Sequence, residues 1–458
     1  MQLQLSRLIL SCVLASFVGV SAALPIDGNA LGNVIARTAE PPLLPLARRA
    51  MSGRQPRHLR SDYPSKVKRD GPDLGGIATF NGDPQPIRGP LGDTFLSASN
   101  HAIDEQNIDN LAVPPTDAGT CYTELEMEHV TLAHEALRCR LAKAFSAVEI
   151  RISANDDREL HWHRMAEWGY VLGGSGRITA VDEDGRTFAA DIHGPTNTSD
   201  ATIHYFPPGV PHSIQALDDG LELLLVFTYG DFDEVGTTFT VADWLARTPL
   251  EVVAKNLGVN VSVLAGIPQK DPVLFKSTVP PPADISQEIV TSPAGTVPMP
   301  FFFDLNTQNR TVAPGGGGWL KVQDSATNFP VATEFASVLI NIEPSSMLEL
   351  HWHPTDEWIY ILSGQGRATA YAGATNARTF DFQEGDTAVF PMGYGHYMEN
   401  ISPTEPLTFL ALFNAPRFVD FSATQLLALS PPPLVADMLN ISTETVTSLP
   451  KEKQFIVA

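Results

Sequence analysis

Two hexapeptides, RELHWH at 158–163 and LELHWH at 348–353, constrain the fold of this 458-residue chain more than any other feature, because each opens one copy of a longer repeat. The first copy reads RELHWHRMAEWGYVLGGSGRITAVDEDGRTF and the second LELHWHPTDEWIYILSGQGRATAYAGATNARTF. At a constant offset of 190 they share two His, the Trp between them, a Glu, a second Trp, a Tyr, two Gly and an Arg. That is an internal duplication, so the chain folds as two similar units.

Within each copy apolar and polar residues alternate, and Gly-rich turns interrupt them at short intervals. This is the pattern of short antiparallel strands, as in a sandwich or jelly roll. Each copy continues through a Pro-Gly turn and an apolar run, PPGVPHSIQ with LELLLVF (221–227), then PMGYGHYMEN with LTFLALF (407–413). Each then ends in a helical stretch, 242–258 and 422–440, broken by Pro at a matching place. The fold class is therefore all-β with short appended helices, two tandem jelly-roll β-barrel domains. The Pro-rich stretch PVLFKSTVPPPADISQ (272–287) marks the join, giving domains 70–271 and 272–458.

Residues 1–23 have one early positive charge (Arg7), an apolar run from Leu8 to Val20 and a small-residue end, the build of a secretory signal peptide. No later run of 18 apolar residues follows, so the sequence predicts a soluble secreted protein. Residues 24–69 are rich in Pro and Arg, carry no hydrophobic period and end at dibasic Lys68-Arg69, as a propeptide would. Cys12 leaves with the signal, and Cys121 and Cys139 remain as a pair that an oxidising compartment could join. Sequons at Asn197, Asn260, Asn309, Asn400 and Asn440 agree with secretion, which would make the chain a glycoprotein. With 30 basic against 52 acidic residues, the net charge of −22 disfavours nucleic acid and anionic membrane surfaces as partners. A small anionic substrate needs a locally placed cation in such a field.

His161 and His163 lie two apart on a strand and so face one side, with Trp162 on the other. Glu167 can return to the same cavity after a bend, and His212 follows the turn Pro207-Pro208-Gly209. The second copy supplies His351, His353, Glu357 and His396. A lone His-x-His is more often structural, but the recurrence of the carboxylate and the downstream His makes two metal sites the economical reading. Three imidazoles and one carboxylate can hold Zn, Fe, Mn or Cu; an octahedral ion with two open positions favours Mn or Fe.

The spacings HxH-x3-E-x6-G (His161 to Gly174, His351 to Gly364) and P-x-G-x2-H (Pro207 to His212, Pro391 to His396) resemble the cupins. With PQPIRGPLG (84–92), RELHWH and TFDFQEGD (379–386), the chain looks like a fungal-type bicupin oxalate decarboxylase over residues 80–440. The resemblance implies Mn(2+) in each cupin, two per chain, and conversion of oxalate to formate and CO2 with dioxygen required. It also implies that Arg158 polarises the substrate and that Glu234, on a lid, donates a proton. The oligomeric state stays open, a homo-oligomer included.

Four departures bear on activity. Leu348 replaces the arginine at the second site, and Ala411 stands where a second proton donor would fall, so the second site is expected to bind metal without turnover. The lid reads Asp233-Glu234-Val235-Gly236-Thr237 rather than Ser-Glu-Asn-Ser-Thr, which keeps an oxalate oxidase making hydrogen peroxide as an alternative. Residues 120–147 differ from the family's usual stretch, so part of the first barrel is missing, rebuilt or misread from the gene. A non-enzymatic storage bicupin is the third alternative. His193 and His204 are expected on the surface, Asn400 as a buried structural residue, and Trp168 and Trp358 as barrel packing.

Overall fold

The computed structural model describes residues 144–195, 201–230, 232, 235–269, 273–373 and 376–458, with strands at 95–96, 123–127 and 130–134 before them. Residues 1–23 and 24–69, Cys121, Cys139, Asn197 and Glu234 lie outside the described residues.

The alternating sequence becomes strands. After β1 (Phe95–Leu96) come β2 (Thr123–Met127), β3 (Val130–His134), β4 (Ser146–Ile152), β5 (Asp156–His163) and β6 (Glu167–Val181). Then follow β7 (Thr187–His193), β8 (Thr202–Phe206), β9 (His212–Phe227) and β10 (Thr238–Thr240). The two long strands carry the first barrel, since β6 and β9 pair antiparallel along nearly their whole length. Register shifts at Val171/Gly173 and Gly174/Gly176 bend them, so one half of each strand faces one layer and the other half the opposite layer. Gly174 is needed at that bend: its φ is +71°, and a Cβ there would meet the Gly220 carbonyl oxygen at 2.1 Å.

The connection between the halves supplies β11 (Leu274–Lys276), antiparallel to β5, and β12 (Phe302–Asp304), antiparallel to β8. Residues after 272 thus still cover the first barrel.

The second barrel repeats the plan as two sheets. Its strands are β13 (Thr311–Val312), β14 (Gly318–Gln323), β15 (Ala336–Ile342), β16 (Met347–Trp352), β17 (Glu357–Ser363) and β18 (Gln365–Gly373). They continue with β19 (Asn376–Gln383), β20 (Thr387–Phe390), β21 (His396–Asn400), β22 (Leu407–Phe413), β23 (Phe421–Ser422) and β24 (Ile456–Val457). One sheet runs β13-β14-β15-β22-β17-β20; the other runs β1-β19-β18-β21-β16-β23, with β24 also on β16. β1, from the amino-terminal part of the chain, therefore closes an edge of the second barrel.

The hairpin β2–β3 continues from β4 as β13–β14 continue from β15. Within residues 120–147, the strands 123–127 and 130–134 thus take the place of this part of the first barrel. The helical stretches also fall at matching places: Val241–Arg247 and Leu250–Leu257 break at Pro249, and Ala423–Leu429 and Pro432–Leu439 break at Pro431. No helix among the described residues is long and apolar enough to cross a membrane.

One apolar core joins the barrels. Phe145, Tyr205 and Leu225 of the first lie in a single cluster with Phe329, Phe335, Trp358 and Leu410 of the second. Ring pairs Phe145–Phe335 at 6.1 Å and Tyr205–Phe329 at 6.5 Å cross between them. The Tyr360 hydroxyl donates to the Glu149 carboxylate at 2.6 Å, and Thr228 donates to Glu334 at 2.9 Å.

Candidate metal centres

Strand pairing brings the motif residues together. On β5, His161 and His163 are buried while Leu160 between the motif and Glu159 is 53% exposed, as a period of two requires. Trp162 points the other way and stacks on Phe239, 5.6 Å between ring centroids. His161 sits directly opposite His212, the first residue of β9. Glu167 opens β6 opposite Phe206, whose ring stacks on His212 at 4.1 Å and 14°. The second barrel reproduces this: His351 opposite His396, Glu357 opposite Phe390, and Phe390 on His396 at 4.2 Å and 7°.

Four donor atoms of His161, His163, Glu167 and His212 lie within 4.8 Å of one another, all buried, and so do those of His351, His353, Glu357 and His396. Their outer nitrogens are engaged. His161 Nδ1 lies 2.7 Å from the Glu159 carbonyl, His212 Nδ1 2.9 Å from that of Val210, and His163 Nδ1 3.0 Å from Thr238 Oγ1. His351, His353 and His396 use the carbonyls of Glu349, Val419 and Tyr394 in the same way, at 2.6, 2.9 and 2.9 Å. A carbonyl only accepts, so the five Nδ1 atoms that face carbonyls carry the proton and those rings, when neutral, turn an Nε2 lone pair inward; the Thr238 hydroxyl can accept from His163 in the same way.

That inward set fits a divalent cation. Glu167 Oε2 lies 2.9 Å from His163 Nε2 and 3.4 Å from His212 Nε2, yet none of these three buried atoms makes an aligned hydrogen bond. Glu357 Oε2, His353 Nε2 and His396 Nε2 are placed alike, at 3.4 and 2.8 Å. Lone pairs converging on one point without a proton repel, and a cation among them removes the repulsion.

Without a metal ion, the electrostatics differ between the sites: burial lowers His353 of the second site, but Glu357 more than offsets it and holds the ring above the ordinary imidazole value. Burial, and next the Arg158 cation, holds His161 well below the ordinary imidazole value, and burial also lowers His163. Burial would raise Glu167, but His212 and the rings of His163 and His204 hold its carboxyl well below the usual range. Glu357 is likewise low, burial being outweighed by His353 and His396.

The sites differ at the arginine position. Arg158 is buried, its guanidinium donates to the Val273 carbonyl at 2.8 Å, and its charge reaches both His161 and His163. Leu348 occupies the equivalent register place in an apolar cluster with Met398, Ala411 and Ile456. Ala411 is fully buried between Val338 and Ile359. Glu234 lies outside the described residues, though the flanking Thr237 and Thr238 are placed, Thr238 beside His163.

His204 corrects the expectation of a surface residue: it is 0% exposed, and its Nε2 lies 3.1 Å from Glu167 Oε1. All five residues of β8 are buried because β12, from the distant connection, covers its outer edge. The uninterrupted apolar company of Thr-Ile-His-Tyr-Phe was the signal available in the sequence. His193 is half-buried with Nδ1 3.1 Å from the Gly194 carbonyl. Trp168 and Trp358 are core residues stacked on Tyr170 and Tyr360, and Asn400 is buried, donating to the carbonyls of Ile342 and Glu405.

Comparison with known proteins places these features. The Cupin family model matches residues 128–264 and 303–447. Oxalate decarboxylase OxdC of Bacillus subtilis (strain 168) is 40% identical over 388 residues, 82% of this chain and 97% of that protein. A probable oxalate decarboxylase of Arthroderma benhamiae is 39% identical over 389 residues, 82% of this chain and 93% of that one. A structure of the Bacillus subtilis enzyme, solved in work assigning its Mn(II) centres by EPR, superposes with a TM-score of 0.68 at 39% identity, covering 82% and 99% of the two chains.

Proposed function

This chain belongs to the oxalate decarboxylases of the cupin family, and on that premise we propose that it is a secreted Mn(II) enzyme whose chemistry is confined to the first barrel. Its reaction converts hydrogen oxalate to formate and CO2, with dioxygen required but not consumed in the balance. The second barrel holds metal and does not turn over.

The observation that carries this division is the contrast between Arg158, a buried cation whose charge reaches His161, and Leu348, an apolar side chain in the same register place. Three imidazoles and a carboxylate at each site suit Mn(II), which when bound would supply redox and Lewis-acid chemistry to a small carboxylate substrate. The protein parts then act on the substrate. Arg158 holds the free carboxylate of oxalate in its planar fork and offsets charge in a strongly acidic molecule. As the carbon–carbon bond breaks and CO2 departs, the remaining carbon needs one proton, and Glu234 delivers it from the lid. Atoms balance: the acidic hydrogen of hydrogen oxalate ends on the formate carbon.

Secretion, loss of residues 1–23 and removal of 24–69 at Lys68-Arg69 follow from the amino-terminal sequence. Processing would leave 20 basic against 49 acidic residues, which disfavours nucleic acid and membrane surfaces. Asn260, Asn309 and Asn440 are exposed and open to glycosylation, whereas Asn400 is buried.

Purified protein, incubated aerobically with oxalate in mild acid, should yield formate at close to one equivalent per oxalate and little hydrogen peroxide. Peroxide as the main product would make it an oxidase, and neither product a binding protein. Arg158→Ala should lower kcat/KM at least about 100-fold while metal content stays at two per chain. Turnover that survives the substitution would remove Arg158 from the site.

A further inference from the structure

The two metal sites match at all eight ligands but not at the residue behind the carboxylate. In the first barrel, His204 faces Glu167 from β8 with Nε2 3.1 Å from Oε1, both side chains being fully buried. A carboxylate only accepts, so the bond is Nε2–H to Oε1, which leaves Oε2 turned to His163 and His212 at 2.9 and 3.4 Å. Room for the ring is made by Gly169: a Cβ there would lie 2.0 Å from His204 Cε1 and 2.3 Å from Nε2. Strand register sets Gly169 opposite His204 in β6–β8 and Ile359 opposite Ala388 in β17–β20, with Glu167/Phe206 and Glu357/Phe390 aligned two residues before. Two changes that make sense only together, a large residue gained on one strand and lost on its neighbour, thus separate the barrels. The second barrel fills the same volume with apolar atoms.

We propose that His204, seated in the gap left by Gly169, is a positioning residue that fixes Glu167 as a ligand of the first site alone. The inference rests on reading that site as a Mn(II) centre. A carboxylate on a strand can swing about its last torsion; a buried donor on one oxygen stops that swing and keeps the other oxygen on the ion. Such a brace belongs where the ion must exchange small anions without losing its own ligand. The carboxylate of Glu357 has no histidine in that place, since Ala388 stands there.

The test transplants the second barrel's solution into the first. Gly169→Ile combined with His204→Ala refills the space and deletes the donor; His204→Gln keeps an amide donor. Metal-free full-length proteins are titrated with Mn(II), the free ion being followed by EPR, and melting curves check folding. Wild type should show two tight sites. The double variant should weaken one site at least about tenfold and leave the other unchanged, and His204→Gln should stay within about threefold of wild type. Should the double variant lose its cooperative melt, His204→Phe, which keeps a ring in the gap, takes its place. Two unchanged affinities in a folded donor-less variant overturn the role of His204, as does a His204→Gln variant as weak as the double one. Wild type with no tight site overturns the metal reading itself, a different result from the first.

Discussion

At the scale of single residues, the surroundings of the two metal sites differ by few side chains. Arg158 and Leu348 share a strand position, yet their surroundings have diverged with them: Leu348 is the register partner of Met398 and Ile456 and lies with them and Ala411 in one apolar cluster. Placing a cation there would bury a charge at a cost of several kcal/mol and still leave the site without an acid, because Ala411 offers none. Leu348→Arg introduced into Arg158→Ala should therefore leave formate production about 100-fold or more below wild type, and should lower thermal stability. Recovery of formate in that double variant would show that a cation alone suffices.

At the scale of elements, pairing between strands decides which polar residues can be buried. Arg151 on β4 and Glu222 on β9 are direct register partners, 2.7 Å apart and both nearly inaccessible. Burial pushes the Glu222 carboxyl above its ordinary value of 4.5 even against the pull of Arg151. The folded chain then binds this proton more tightly than the unfolded chain. The resulting contribution is fully present below the unfolded value and is lost as the pH rises through the folded one. Glu222→Gln cannot ionise, so its melting temperature relative to wild type should rise between about pH 4 and pH 7. A difference that stays flat across that range would mean the carboxyl is not raised.

The same scale explains what the sequence made legible. The ligands of β5 and β16 stood out because a strand of period two writes its inward face directly into the sequence, and the duplication wrote it twice. The helices could be placed from their Pro breaks at 249 and 431. For His204 the local sequence offered only the apolar company of its strand, because the element that seals it, β12, arrives about a hundred residues later and covers β8 from outside. Nor could the role of residues 120–147, where strand pairing with β4 rather than family likeness preserves the sheet.

At the scale of the whole molecule, the barrels are not independent beads, because their facing sheets share one apolar cluster. That cluster would be exposed if either barrel stood alone, so each barrel stabilises the other whatever its metal site does. Polar links also cross the shared face, among them the Tyr360 hydroxyl donating at 2.6 Å to the buried carboxylate of Glu149. A hydrogen bond to a carboxylate is worth more than one between neutral groups, and deleting the donor takes one partner from Glu149 in a place water does not easily reach. Tyr360 is on the face of β17 turned to the other barrel, while Glu357 on the same strand serves the second metal site. Tyr360→Phe should thus lower global stability by about 1.5–3 kcal/mol in denaturant unfolding, with Mn(II) content and oxalate turnover at low denaturant unchanged. If the substitution left stability intact, the coupling of the barrels would rest on their apolar contact alone; if it removed metal, the link would extend to the second site.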